Sequence, residues 1–392
     1  MELGAGSANG SPSTLRIDQC GPDTLSGRYI RQFWTPFAML DDVAPRRAKD
    51  IEILGEHFTY YRGASGNPHI VASLCAHRHV QLSVGSVEDD CIRCPYHGWK
   101  YDAGGQCVEQ PAESESFARK VQIAGYPTRV LHGIVFGYFG GGEAPAFPRL
   151  ATLERPGHIS SSSYVRKTNF LNAIENNADW IHLNFVHGRS AFADLGVNRA
   201  IPVVTAEETN YGLAGRCTYP DGKATIFHML MPLGSYLKVT AGFMATDTGE
   251  TTDHVAWRVP IDDRSHRSFI ISRIELEGAA LERYLSKKRE ARRLQAALPP
   301  QSQVVEQILR GELHVDEVSE YRPDLVGIQD SAVMLTQPPL GDRDPDQLGL
   351  SDIPVIKLRR LWYREVEALA NGQPTTNWDW SADDLTAELG VG

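Results

Sequence analysis

Three features of the chain predict an α+β architecture, with an all-β N-terminal unit ahead of a larger unit of antiparallel sheet and covering helices. Residues 25–140 alternate short apolar runs with Gly, Pro and Asp turns, the period-2 texture of a compact β unit. Beyond residue 150 the strand candidates lengthen and two long helical segments appear. Strands and helices that segregate along a chain, instead of alternating, argue for α+β over a parallel-sheet fold. The 392 residues are enough for two or three domains.

Met1 to Ser13 is rich in Gly, Ser and Ala and has no basic stretch followed by an apolar one. It makes a poor signal peptide, and residues 1–20 read as a disordered tail. Strand candidates in the first unit (21–148) include Ile51–Leu54, His57–Tyr61, Ile70–Leu74 and Gly133–Phe139. Gly140-Gly-Gly142, then Pro145 and Pro148, mark the boundary. In the second unit (149–392), Tyr164 to Leu171 reads as a strand and Asn172 to Val186 as a helix. Ala224–Met231, Tyr236–Phe243, His254–Val259 and Ser268–Ile274 follow as strands. Leu281 to Leu298 is amphipathic, with Lys287, Lys288, Arg289, Arg292 and Arg293 as a solvated face, and Pro299-Pro300 ends it. A last helix is expected over Ile353 to Ala370.

Composition narrows the class. Hydrophobic residues are 42% and charged ones 22%, ordinary for a soluble protein. No apolar run reaches bilayer-spanning length, so no membrane is expected. A net charge of −10 argues against nucleic acid as a partner. The six cysteines lack a dense, regular spacing, which fits a reducing, cytoplasmic setting better than a disulfide framework.

Chemistry enters with Cys75-Ala-His77 and, after sixteen intervening residues, Cys94-Pro-Tyr-His97. Each half pairs one thiolate with one imidazole. Tetrahedral zinc also accepts two Cys and two His, but zinc motifs usually group like with like. Mixed halves suit a two-iron, two-sulfide centre in which the cysteines hold one iron and the histidines the other, the Rieske arrangement. Tyr96 is a candidate for a hydroxyl directed at a cluster sulfur. Cys91 and Cys107 flank the second half, and a disulfide between them is disfavoured by the compartment.

A second constellation is Asp179, His182 and His187. On a helix Asp179 and His182 share a face. His187 lies five residues past His182, so a break or bulge is needed to bring both imidazoles to one metal. Two His and one carboxylate form the facial triad of non-haem Fe(II) oxygenases. The carboxylate must come from elsewhere, and Asp330, Asp316 and Asp324 are the candidates.

Residues 71–110, with Cys75-Ala-His-Arg78 and Cys94-Pro-Tyr-His-Gly-Trp-Lys-Tyr-Asp102, resemble the Rieske domain of ring-hydroxylating oxygenases. Val304-Val-Glu-Gln-Ile-Leu-Arg-Gly311, Gln329-Asp330, Gln337 and Leu348-Gly-Leu-Ser-Asp352 resemble the C-terminal pattern of phthalate-dioxygenase-type oxygenases. Together they make residues 22–375 similar to the large (α) component of Rieske non-haem iron oxygenases, in the phthalate and phenoxybenzoate dioxygenase branch. The resemblance implies a catalytic domain of helix-grip type. It implies a [2Fe-2S] cluster on Cys75, His77, Cys94 and His97, and mononuclear Fe(II) on His182, His187 and Asp330. It implies that Asp179 bridges a cluster histidine of one subunit and an iron histidine of the next, within a homotrimer. Asn176 falls where several members carry an Asn near the iron. His79 stands where the family often has Gly.

The activity so implied uses O₂ and electrons that a separate NAD(P)H-dependent reductase supplies, directly or through a ferredoxin. It hydroxylates an aromatic, acidic substrate, with O-demethylation or other monooxygenation as the second reading. Arg189 and Lys238 are candidates for holding an acid group. Met229, Met231, Phe243 and Trp257 are candidates for an apolar cavity, though such residues are more often plain core. A pure Rieske electron carrier is the reading from another class, but it would leave the residues after the first ~120 unexplained, since the cluster unit needs no more.

Overall fold

The computed structural model describes residues 15–188, 200–240 and 251–381. The first half holds α1 (Leu25–Ile30), then β1 (Trp34–Met39), β2 (Arg47–Ile53), β3 (Glu56–Arg62), β4 (Pro68–Ala72), β5 (Ser86–Glu88), β6 (Cys91–Arg93), β7 (Lys100–Tyr101) and β8 (Cys107–Glu109). After α2 (Glu115–Ala118) come β9 (Gly125–Tyr126), β10 (Thr128–Leu131) and β11 (Ile134–Tyr138). These strands make three small antiparallel sheets, ordered β1-β11-β10, β2-β3-β4-β9 and β5-β6-β7-β8. The all-β expectation holds.

The second half begins with α3 (Ala151–Glu154), β12 (His158–Arg166), α4 (Phe170–Ala178) and α5 (His182–Val186). Then follow β13 (Val203–Thr209), β14 (Gly212–Thr218), β15 (Ala224–Leu230), β16 (Gly234–Thr240), β17 (Thr251–Pro260) and β18 (His266–Ile274). Last are α6 (Gly278–Ala297), α7 (Gln301–Leu309), α8 (Leu325–Met334) and α9 (Ile353–Ala370). One seven-stranded antiparallel sheet, ordered β12-β18-β17-β16-β15-β14-β13, carries α4 on one face.

Three local readings need correction. The strand expected to Leu171 stops at Arg166, because Asn169 caps α4: its Oδ1 accepts the Leu171 N–H at 2.9 Å. The single helix expected over Asn172 to Val186 is two. Asp179 takes an extended conformation (φ −84°, ψ 105°), and its Oδ1 accepts the Ile181 and His182 N–H groups that open α5. The tail expected to residue 20 is packed in its last part: Ile17 and Cys20 are buried, and Asp18 is held by Arg16 and the Gly341 N–H.

Four hydrophobic clusters form among the described residues, and two of them carry most of the buried apolar side chains. The larger runs through both halves, from Tyr29, Trp34 and Phe136 to Tyr236, Trp257 and Trp362. Phe136 meets Trp257 edge-on at 5.3 Å. Backbone bonds also cross: the Leu54 and Gly55 N–H groups donate to the Pro260 and Ile261 carbonyls at 2.9 and 2.8 Å. The smaller core (Tyr61, Val71, Cys75, Ile92, Cys94, Trp99, Tyr101, Cys107) belongs to the cysteine-bearing sheets alone. All six cysteines are free, so Cys91 and Cys107 are not paired.

Candidate metal centres

The two Cys-His halves form matching loops. Cys75 lies just past β4 and Cys94 just past β6, and each carbonyl accepts an N–H four residues on, from His79 and Gly98 (3.0 and 3.1 Å). Both closing residues are left-handed, at φ 56° and 76°. Gly98 adopts that geometry freely, whereas His79 is strained in it. This is why a glycine suits position 79, and it places His79 at the closure of the loop.

Inside the loops the donors sort by chemistry. Cys75 and Cys94 are buried and face one another, while His77 and His97 are exposed with ring centroids 4.5 Å apart. Trp99 stacks flat on His77 at 4.5 Å. Paired thiols within and paired imidazoles without are the donor set a Rieske cluster asks for. The hydroxyl expected from Tyr96 comes instead from Tyr101. Tyr101 Oη lies 3.2 Å from Cys75 Sγ and accepts the Ala76 N–H at 3.2 Å. Tyr96 is 53% exposed and takes a hydrogen bond from Arg78. Strand alternation explains the exchange: Tyr101 lies on β7 and points inward, and Tyr96 sits at the loop tip.

The second constellation also gathers. Donor atoms of His182, His187 and Asp330 all lie within 4.8 Å of one another. The helix break falls before His182, at Asp179, and His187 leaves α5 at its C-terminal end (φ −105°, ψ 11°). Asp330 comes from α8. Asp316 lies in a separate turn, and Asp324 is tied to Arg322 at 2.8 Å.

The Nδ1 hydrogen bonds turn Nε2 of each imidazole toward Asp330. His182 Nδ1–H donates to the Asp179 carbonyl, and His187 Nδ1–H donates to Gln329 Oε1 at 2.9 Å. Each Nε2 then carries a lone pair. His187 Nε2 nevertheless lies 3.0 Å from Asp330 Oδ1, and His182 Nε2 lies 3.9 Å from it. Donor atoms converging at such distances suit a shared cation, a proton or a metal ion. Burial pulls the His182 imidazolium below its ordinary range, which keeps the ring neutral. Burial would raise the Asp330 carboxyl, but His187, Arg166 and His182 outweigh it and pull it down. Two imidazoles and a carboxylate are the donor set that suits Fe(II).

Other candidates fare unevenly. Asn176 is half-buried at the end of α4, and its neighbour Asn177 is the residue that reaches the sheet, donating to Ser235 Oγ and accepting from Arg258. Lys238, expected to hold an acid group, lies on the other side of the sheet. Its register partner is Asp253, so it shares the sheet face of Tyr236, away from α4. Met231 is core, 1% exposed, with its carbonyl taking the Trp380 indole N–H at 3.0 Å. Met229 and Trp257 are core as well. Arg189 and Phe243 lie outside the described residues. Sequence marks Gln329 only as part of the Gln329-Asp330 pattern, with no sign of its bond to His187, and gives no sign of Arg166, whose Nη2 lies 3.8 Å from Asp330.

Known proteins bear on this geometry. Residues 33–127 match the Rieske [2Fe-2S] domain family. The oxygenase subunit of 5,5'-dehydrodivanillate O-demethylase from Sphingobium sp. (strain NBRC 103272 / SYK-6) is 27% identical over 91% of this chain and 80% of that protein. The oxygenase subunit of phthalate 4,5-dioxygenase from Pseudomonas putida is 24% identical over 90% of this chain and 84% of its own length. The solved structure of NdmA from Pseudomonas putida CBB5 superposes with a TM-score of 0.64 at 18% identity, covering 88% of this chain and 92% of that one, a likeness of fold. Such proteins use a Rieske cluster, a mononuclear iron and O₂. With the N-terminal Rieske match, relatives along nearly the whole chain and the shared two-part fold, this chain belongs to the Rieske non-haem iron oxygenases as a large oxygenase component.

Proposed function

We propose that Cys75, Cys94, His77 and His97 hold the cluster in a unit spanning 21–148, and that His182, His187 and Asp330 hold the catalytic iron in 149–392. The observation that carries the second assignment is the 3.0 Å approach of His187 Nε2 to Asp330 Oδ1 with Nδ1 already committed to Gln329. Three protein ligands leave positions for O₂ and substrate, and the bound iron supplies the activation of oxygen. The chain's part is to orient. The Asp179 carbonyl and Gln329 fix the two imidazoles, and Trp180, stacked on Phe227 at 5.5 Å, closes the apolar side of α5.

The exposed imidazoles of His77 and His97 are the natural exit for an electron. In our reading Asp179 receives it across a subunit interface, which makes the working unit a head-to-tail ring of three copies. A separate NAD(P)H-dependent reductase, alone or with a ferredoxin, recharges the cluster in the cytoplasm. The substrate is an aromatic acid, and the product is hydroxylated. A second reading, O-demethylation of an aryl ether, is favoured by the O-demethylase subunit that matches 91% of the chain. The test is product analysis with ¹⁸O₂, the reduced protein and a panel of aromatic acids and aryl ethers. Labelled product supports the reading, and its absence from every panel member, with both metals loaded, overturns it.

A further inference from the structure

The sheet face beneath α4 and α6 has a patch that the packing leaves open. Register places three rows there across β12, β18 and β17: Tyr164, Ser268 and Arg258; Ser162, Ile270 and Ala256; Ser160, Ser272 and His254. Tyr164 keeps 37% of its surface accessible, and Ser162, Ile270, Ser272, His254 and Ser160 are all at least partly accessible. Between them Ala256 and Ser268 are buried, so the accessible side chains rim a hollow with a lower floor. Its floor is small and largely apolar, with Ala256 at the centre.

The two ends of the hollow differ. The first row adjoins the metal trio through Arg166, which lies over the Tyr164 ring at 5.3 Å and reaches Asp330 at 3.8 Å. Burial would raise the Tyr164 hydroxyl, but Arg258 and Arg166 outweigh it and pull it down, a sign of positive potential. The third row lies four residues further along each strand, ~13 Å away at strand rise. There Lys288 of α6, read from sequence as part of a solvated face, turns inward. Its Nζ donates to Ser160 Oγ at 3.2 Å and sits 5.2 Å from the Tyr284 ring. No carboxylate of the described residues lies within 4.0 Å of Nζ. His254 Nδ1 is 3.3 Å from Ser272 Oγ, and its Nε2 has no partner among the described residues. Burial holds this imidazole neutral, so a Ser272 hydroxyl donating to Nδ1 leaves Nε2–H as a donor.

An ammonium with no carboxylate within 4.0 Å among the described residues, in the same sheet row as an imidazole N–H without a partner among them, makes a site rich in donors. The group that best satisfies it is acceptor-only and negatively charged. We infer that Lys288, with Ser160, Ser272 and His254, receives the substrate's carboxylate, while the aromatic ring lies over Ala256 and Ile270 with its far edge toward the iron. This rests on the oxygenase reading of His182, His187 and Asp330. It replaces Lys238, on the wrong face, as the cation that selects an acid.

The experiment is calorimetric binding of 4-methoxybenzoate and 4-methoxybenzamide to the metal-loaded full chain, with turnover scored separately. The acid should bind at least tenfold more tightly than the amide. Lys288→Met should erase that preference while changing amide binding less than twofold, and Lys288→Arg should restore most of it. His254→Gln is an independent arm, with a loss of severalfold confined to the acid. Unchanged visible cluster bands and far-UV dichroism certify that each variant is folded. Equal binding of acid and amide by the parent protein, no binding of the acid at millimolar concentration, or parallel weakening of both ligands by Lys288→Met overturns the inference. Oxygenated product without acid preference sinks this subsite and leaves the oxygenase reading intact. Acid preference without any product does the reverse.

Discussion

Replacing Tyr101 by Phe removes one hydroxyl and almost no volume. That hydroxyl is pinned: it accepts the Ala76 N–H and so points its proton at Cys75 Sγ, 3.2 Å away. Tyr101 is fully buried, so water does not take the place of the lost donor. A hydrogen bond to a charged acceptor is worth about 1.5–3 kcal/mol. The reduced cluster carries one more negative charge than the oxidised one, so the bond strengthens on reduction. If roughly half of its worth is gained in that step, the reduced state loses about 0.75–1.5 kcal/mol in the variant. At 59 mV per tenfold for a one-electron couple, the midpoint potential should fall by about 30–65 mV. A redox titration followed by the Rieske EPR signal measures this directly. A potential that stays put or rises would show that Tyr101 does not donate to the cluster sulfur, and would return the role to another group.

Four further outcomes are expected. His182→Ala should lower iron from about three to about two per chain, by metal analysis, while the visible cluster spectrum survives; unchanged iron would refute its role as a ligand. Asp179→Asn should keep both metals but abolish turnover, and sustained product formation in that variant would remove it from the electron path. His79→Gly relieves a left-handed residue at φ 56° and should raise the melting temperature of the cluster-bearing unit, by a gain of up to about 1 kcal/mol. Burial holds His228 to about 4, below its ordinary 6.5, so the unfolded chain binds a proton between those values that the folded chain refuses. Stability should therefore be complete above pH 6.5 and decline toward pH 4, by at most about 3 kcal/mol from this residue. Denaturant melts of His228→Gln should flatten that decline, and an identical slope would clear His228 of the effect.

Chemistry confined to a short stretch of chain was legible in the sequence, and chemistry made by pairing was not. Cys75, His77, Cys94 and His97 stand close enough in the chain for ligand type and spacing to suggest the Rieske arrangement. The α9 helix was read with the bounds Ile353 and Ala370 that the structure gives. Asp330 is separated from His187 by most of the second unit, and only resemblance picked it from three aspartates. Lys238 failed because a strand's face depends on its register, and a residue shifted by one points to the opposite side. Lys288 failed in the opposite sense. On a helix carrying five cations between 287 and 293, nothing in the sequence marks the one that folds back toward Ser160. The departure from helix that the two imidazoles need comes at His187, at the end of α5, whereas the break at Asp179 had no sequence signal, because it depends on a side chain capping its own backbone.

The two hydrophobic cores differ in reach, and that difference bears on how the molecule ages. Cys75 and Cys94 are themselves part of the small core, packed with Trp99 and Tyr101. Oxidative loss of the cluster would loosen that core from within, by removing the bonds that hold its thiols in place. The large core shares none of these residues and ties the first strands to the seven-stranded sheet. A bleached copy would keep its secondary structure, its compactness and its hollow, and would still bind substrate. Inactivation by oxygen, the hazard of its own chemistry, would thus produce a folded competitor for substrate and not a target marked by unfolding.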